Sequence, residues 1–475
     1  MAFDLAALLA AHQGENFDLH SQFMNPQLVK VLTTLGFDRH YVSAEGAYLI
    51  DDHGDRYLDF LAGFGVFALG RSHPVIKDAL RQAIDADLPN LVQLDCALLP
   101  GLLAQDLVGR AHPGIERVFF ANSGAETVEA AIKFARCATK RKRILSCSHA
   151  FHGLTNGALS LNGGKEFKKG FGPLLPGCEQ IPFGDIDALA RHLRRDDVAA
   201  FVVEPIQGKG VYLASDAYWE AVQALCRAHG TLLVIDEVQT GMGRTGRFFC
   251  HQHWGLEPDI ITVSKALSGG YIPVGAVLTT ARVFDAVYSS MDRAVVHSST
   301  FARNQLAMVA GLATLAVIDD EHIVERAEKG GTRMMEALQP LVDKYELLHE
   351  VRGKGLMIGL VFGPPGPHGG RARFAMMELA RKGLFSQLIV VPLFRRHRIL
   401  TQVAADSVNI IKLIPPLVIG DEEIDAFVSA LDDVLADATR SSGLLLEVGA
   451  SMARNGLRRG RTRSTGPLPS SPARS

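Results

Sequence analysis

Through the middle of the chain, short and almost wholly apolar runs alternate with longer stretches in which apolar residues return every three or four positions. The runs Arg117 to Phe120, Arg143 to Cys147, Ala200 to Glu204, Leu232 to Asp236, Ile260 to Val263 and Val274 to Thr279 read as strands. Between most of them lie helical patterns, among them Glu126 to Lys140, Ile186 to Arg194 and Tyr218 to His229. This alternation predicts an α/β fold whose mostly parallel sheet is wrapped by helices on both faces.

The pattern changes at either end. Gly46 to Phe60 reads as two strands around an Asp52-His53-Gly54 turn, an N-terminal hairpin. Beyond a connecting helix at Leu306 to Ile318, an α+β pattern follows: a helix over Ile323 to Leu338 stopped by Pro340, strands at Leu347 to Val351 and Gly355 to Val361, a helix at Ala372 to Lys382, a strand at Asn409 to Leu413 and a helix at Asp421 to Ala436. Residues 363 to 370, rich in Gly and Pro, read as a loop. The expected division is an N-terminal segment and hairpin over 1–70 packing with a small domain over 321–440, a large domain over 71–320, and a tail over 441–475.

Composition narrows the class. A chain of 475 residues exceeds what one core usually serves, and 47% hydrophobic with 21% charged residues is a soluble globular balance. No apolar run is long enough to span a bilayer. Met1 to Ala10 lacks a basic start and carries Asp4, so it reads as a short amphipathic helix and not a secretion signal, with the cytoplasm as the expected location. Six scattered cysteines without CxxC spacing suggest reduced thiols and no zinc site. The net charge of -2 hides an asymmetry, because Ser451 to Ser475 holds six arginines and no acid. Such a tail is expected to be disordered. It could touch nucleic acid or anionic lipid, or be a passive extension, but it contains no module that reads DNA.

The chemistry gathers at strand ends. Lys265 follows the strand Ile260 to Val263 and precedes Ser268-Gly269-Gly270, which aims an amine into a cleft. Asp236 ends the preceding strand, so an acid and an amine converge at one sheet edge. That pair suits pyridoxal phosphate: a lysine forms the Schiff base, and an aspartate keeps the pyridine nitrogen protonated. Asn122-Ser123-Gly124-Ala125-Glu126 passes from strand to helix, where free N–H groups and the helix dipole can seat a phosphate or simply cap a helix. Phe151 in His149-Ala150-Phe151-His152-Gly153 could stack on a ring or pack in the core. Glu204, Gln207 and Gln239 add polar groups at further strand ends.

In this order the segments resemble the class III, or ornithine/GABA-type, aminotransferases of pyridoxal-phosphate fold type I, over Gly46 to Leu431. The resemblance implies a large domain with a mostly parallel seven-stranded sheet, a smaller α+β domain, and a homodimer with shared active sites. It implies that Ser123, Gly124 and Ala125 hold the phosphate, Phe151 stacks on the ring, and Asp236 pairs with the pyridine nitrogen. Val238 packs on the other face, Gln239 contacts the ring hydroxyl, Lys265 carries the cofactor, and Thr300 reaches the phosphate of a neighbouring subunit. The implied activity is a ping-pong transfer of an amino group from a small-molecule donor to a keto acid or aldehyde. An aminomutase, a decarboxylase and a non-catalytic binding protein share the fold as alternatives.

Two departures from the family pattern stand out. Thr300-Phe301 is followed by Ala302-Arg303 where the family has two glycines, and Lys412 precedes Pro415-Pro416 where many members carry an arginine that grips an α-carboxylate. A lysine lacks that planar two-pronged grip, which points toward substrates without the carboxylate. Phe64 and Phe67, in a stretch that lines the family's substrate entrance, suggest a hydrophobic acceptor or plain core packing. The run Arg395-Arg396-His397-Arg398 could meet an acidic carrier or phosphate, or be a solvated face.

Overall fold

The computed structural model describes residues 3–365, 374, 384–404 and 408–440. The expected helix at Ala372 to Lys382, apart from Phe374, most of the 363–370 loop and the basic tail lie outside the described residues.

Seven strands form the central sheet in the order Arg117–Ala121, Gly275–Thr279, Ile260–Val263, Leu232–Asp236, Val198–Val203, Arg143–Cys147 and Cys178–Ile181. All pairings are parallel except those of Gly275–Thr279, which runs antiparallel to both neighbours. Leu232–Asp236 and Val198–Val203 are buried throughout, which explains their unbroken apolar sequences. The pattern of apolar runs yields only six of these strands. Cys178–Ile181 is an edge strand bonded on one side, so it tolerates Glu179 and Gln180 and shows no apolar run.

Helix Gly124–Thr139 lies across this sheet, burying Val128, Ala131, Phe134 and Ala135. Ser123 caps it, its hydroxyl accepting the Glu126 N–H at 3.2 Å. Helices Ile186–Leu193 and Asp216–Ala228 cover other parts of the sheet, and Gln305–Asp320 follows the large sheet as the connecting helix.

Two smaller sheets complete the molecule. Leu348–Lys354, Met357–Phe362, Ile410–Leu413 and Gln402–Val403 form an antiparallel sheet. The N-terminal hairpin, Tyr48–Asp51 with Arg56–Asp59, pairs with Tyr41–Glu45 on one side and, in parallel, with Ile399–Leu400 on the other. Phe60, after the hairpin, stacks on Phe427 of helix Asp421–Arg440 at 4.5 Å. The two ends of the chain therefore share a core, and loss of either ring would cost about 3–5 kcal/mol.

Pro340 does not stop its helix, which runs from Ile323 to Lys344. The ring sits on the exposed side while Leu338 and Leu341 are buried, so packing on both sides of the proline outweighs one lost hydrogen bond. The N-terminal helix spans Leu5–Ala11 with no buried residue. Helices Asn16–Phe23, Pro26–Leu35, Pro74–Asp85 and Leu98–Gly109 add to those predicted. In the basic run, Arg396 pairs with Asp437 at 2.5 Å and Arg398 with Asp55 at 2.8 Å, so these charges bind parts of the chain to each other. The six cysteines are free, and no helix among the described residues is long and apolar enough to cross a membrane.

Candidate active site

Strands Val198–Val203, Leu232–Asp236 and Ile260–Val263 end side by side, with Asp236 in register with Thr262. Parallel neighbours bring their carboxyl ends to one edge, which places Glu204, Asp236 and Lys265 together.

Asp236 is only 4% exposed. Its Oδ2 meets His152 Nδ1 at 2.7 Å, while Oδ1 accepts the Val238 N–H at 3.0 Å and the Thr262 hydroxyl at 3.1 Å. His152 is buried in turn, its N–H donating to Asn162 Oδ1 at 2.7 Å. Burial works to lower the His152 pKa, but the hydrogen bond and charge of Asp236, with the field of Glu204, raise it above the ordinary histidine value. Glu204 accepts the N–H groups of Phe151 at 2.9 Å and Gly208 at 2.7 Å, and burial raises its pKa.

Lys265 opens a short 3₁₀ turn and has φ of 43°, a left-handed conformation that non-glycine residues hold only under surrounding constraint. Burial depresses its pKa, against the opposing pull of Asp236 and Glu204. An amine poised in this way gives up its proton more easily than a surface lysine. Gly270 has φ of 88°, and a Cβ there would stand 2.6 Å from the Phe67 ring, so the glycine turn lets Phe67 approach the lysine segment.

At the start of helix Gly124–Thr139, a Cβ on Gly124 would lie 2.8 Å from Val238 Cγ1. A Cβ on Gly153 would lie 2.7 Å from that of Ala125. The structure thus packs Val238 onto Gly124 and the His152-Gly153 turn onto Ala125, with first-turn N–H groups of the helix at hand for an anion. Phe151 is half-buried, edge-on to Phe167 at 5.5 Å. Lys209 lies over the Phe167 ring at 3.9 Å and pairs with Glu166 at 2.6 Å.

Gln239 donates through Nε2 to the Phe64 carbonyl at 2.9 Å and accepts through Oε1 from Lys412 Nζ at 3.0 Å. Phe64 is 48% exposed, whereas Phe67 lies beneath the Arg71 guanidinium at 4.0 Å. Thr300 is exposed; beside it, Ser299 accepts from Asn122 Nδ2 at 2.7 Å. Of the two departures near Thr300, Ala302 is buried and Arg303 points to solvent.

Asp236, Val238, Gly124, Ala125, Phe151, Gln239 and Lys265 are therefore linked by direct contacts, shared partners or strand register, while Thr300 lies on the surface of the single chain. Sequence reasoning left His152 without a role. Its only signal is a histidine just past a strand end, and its partner Asp236 is distant in sequence. The buried acid beside an amine of lowered pKa, the open helix start and the flanking Val238 and Phe151 are a donor set that fits pyridoxal phosphate.

Comparison with known proteins agrees with this fit. The family described as Aminotransferase class-III matches residues 34–435. Aminotransferase PigE of a Serratia species is 37% identical over 452 residues, covering 88% of this chain, which spans about half (53%) of PigE. Acetylornithine aminotransferase of Caldanaerobacter subterraneus subsp. tengcongensis is 36% identical over 406 residues, covering 83% of this chain and 94% of the relative. Among solved structures, the ornithine aminotransferase of Toxoplasma gondii, with pyridoxal phosphate at partial occupancy, superposes with a TM-score of 0.79 at 28% identity, covering 92% of this chain and 98% of that one. The chain belongs to the class-III aminotransferase family, with the fold type I architecture, pyridoxal phosphate as cofactor and transamination as its reaction.

Proposed function

We propose that Lys265 and Asp236 carry the catalysis, with Ser123, Gly124, Ala125, Phe151, Val238 and Gln239 holding the cofactor. The bound cofactor supplies an electron sink for the bond broken at the amine-bearing carbon. Asp236 keeps the ring nitrogen protonated, and the His152, Thr262 and Val238 contacts hold its carboxylate in place. Lys265 Nζ would anchor the cofactor at rest and, once displaced, would take the proton from the amine-bearing carbon and deliver it to the cofactor carbon on the far side of the nitrogen. Phe151 and Val238 flank the ring and keep water from its faces. The observation that carries this reading is the buried Asp236 carboxylate at the same sheet edge as the depressed Lys265 amine.

The substrates are a small-molecule amine and a keto acid or aldehyde, taken in turn. The pairing of Arg396 and Arg398 with acids of the same chain favours free small molecules over an acidic carrier. Thr300, exposed beside the anchored Ser299, supports a homodimer in which it reaches the phosphate of the neighbouring site, and the cytoplasm is the proposed setting. The domain division at 70, 320 and 440 keeps the cofactor elements within the large domain.

The test is a panel of amino donors offered to the purified enzyme with keto acids and aldehydes, following nitrogen into the second compound. Transfer to a separate acceptor is the expected result. Return of the amine to the same molecule, or loss of carbon dioxide, would replace transamination with aminomutase or decarboxylase chemistry.

A further inference from the structure

The Lys412 side chain, 6% exposed, donates to two neutral oxygens, Gly208 O at 2.8 Å and Gln239 Oε1 at 3.0 Å. A lysine ammonium can only donate and a carbonyl can only accept. With Lys412 on one side and the Phe64 carbonyl on the other, the Gln239 amide therefore has one permitted orientation: Oε1 toward Lys412 and Nε2 toward Phe64. The Phe64 turn needs such a tether. Residues 62 to 65 have φ of 46°, 60°, 63° and 87°, a left-handed run that includes the non-glycine Ala62 and Phe64. The same turn is joined to the segment after Lys412, because Ile414 N–H donates to Phe60 O at 3.0 Å and Leu417 N–H to Ala68 O at 2.7 Å.

We propose that Lys412 is a positioning residue that acts through Gln239: it locks the glutamine amide against the cofactor ring and the Phe64 turn, and does not itself grip a substrate carboxylate. This rests on the functional reading above. It assigns the missing arginine's place to cofactor positioning, and makes the reactive end of the preferred amine one that carries no α-carboxylate. Two observations support it: the ammonium's two bonds are both to neutral protein acceptors, and the amide it meets is held at its other end by the Phe64 carbonyl.

The test is a double-mutant cycle of Lys412→Met and Gln239→Leu in the full chain. Two quantities are read: the affinity of cofactor-free protein for pyridoxal phosphate, by fluorescence quenching, and kcat/KM for an α-amino acid and for an amine without a carboxylate. Lys412→Met is expected to weaken cofactor binding and to lower kcat/KM for both substrates by about tenfold, and to add less than about twofold once Gln239→Leu is present. A full tenfold effect that persists in the Gln239→Leu background, or one confined to KM of the α-amino acid, would overturn the proposal and put Lys412 on the substrate. Lys412→Gln, which keeps a donor without the charge, provides the same cycle if the methionine variant fails to fold. Wild-type protein that bound no pyridoxal phosphate would instead overturn the functional reading, an outcome distinct from either arm of the cycle.

Discussion

His152 Nδ1 lies 2.7 Å from Asp236 Oδ2, and both side chains are buried at the end of the central strands. The carboxylate proposed to pair with the cofactor is thus itself held by a ring whose pKa it raises. Asp236→Ala should keep the fold and lose orders of magnitude in half-reaction rate, because an unprotonated pyridine is a poor electron sink. His152→Asn should fall between that variant and wild type, with a loss of about 10–100-fold. Single-turnover absorbance changes measure both; near-normal rates in His152→Asn would reduce the histidine to packing.

Gly124 is required by contact and not by backbone conformation. Gly124→Ala places a methyl 2.8 Å from Val238 Cγ1, so Val238 or the helix start must shift. Cofactor affinity should fall by about tenfold, the equivalent of about 1.4 kcal/mol. Adding Val238→Ala should restore part of it. Equilibrium titration of cofactor-free protein checks both, and no change in Gly124→Ala would show that the contact yields freely.

Lys412 links the site to stability. Burial, reinforced by the charge of Lys265, pushes its pKa down to about 7, far below the unfolded lysine. Below pH 7 the amine is charged in both states and the folded protein bears the full burden of the buried charge. That burden is relieved as pH rises from about 7 toward the unfolded value near 10.4. Lys412→Met should therefore gain most stability over wild type below pH 7, with the gap closing at alkaline pH. Denaturant midpoints across pH 6 to 10 measure it, and a constant gap would contradict the assignment.

If Thr300 serves the neighbouring site, dimers mixed from Lys265→Ala and Thr300→Ala chains contain one doubly damaged and one intact site. Activity should recover to about half of wild type per dimer, the one intact site working at the wild-type rate, given that each parent is strongly impaired. Mixed dimers with no recovery would assign Thr300 to its own chain.

Much of this was legible because parallel strands buried on both faces write themselves as apolar runs, and their ends carry the chemistry. Lys265, Asp236 and the Ser123-Gly124-Ala125 turn could be read in that way. Cys178–Ile181 escaped because an edge strand needs no apolar run, and Pro340 misled because flanking leucines hold its helix together. The role of His152 and the Lys412–Gln239–Phe64 chain were hidden for another reason. Each joins residues 84 or more positions apart in sequence, and hydrogen bonds made by side chains leave no periodic trace.

Everything proposed for the site depends on Lys265 as the residue that holds the cofactor. Borohydride reduction of the yellow holoenzyme followed by peptide mapping tests it most directly. A phosphopyridoxyl group is expected on Lys265 and none in Lys265→Ala; the label on another lysine in wild-type protein would overturn this role for Lys265.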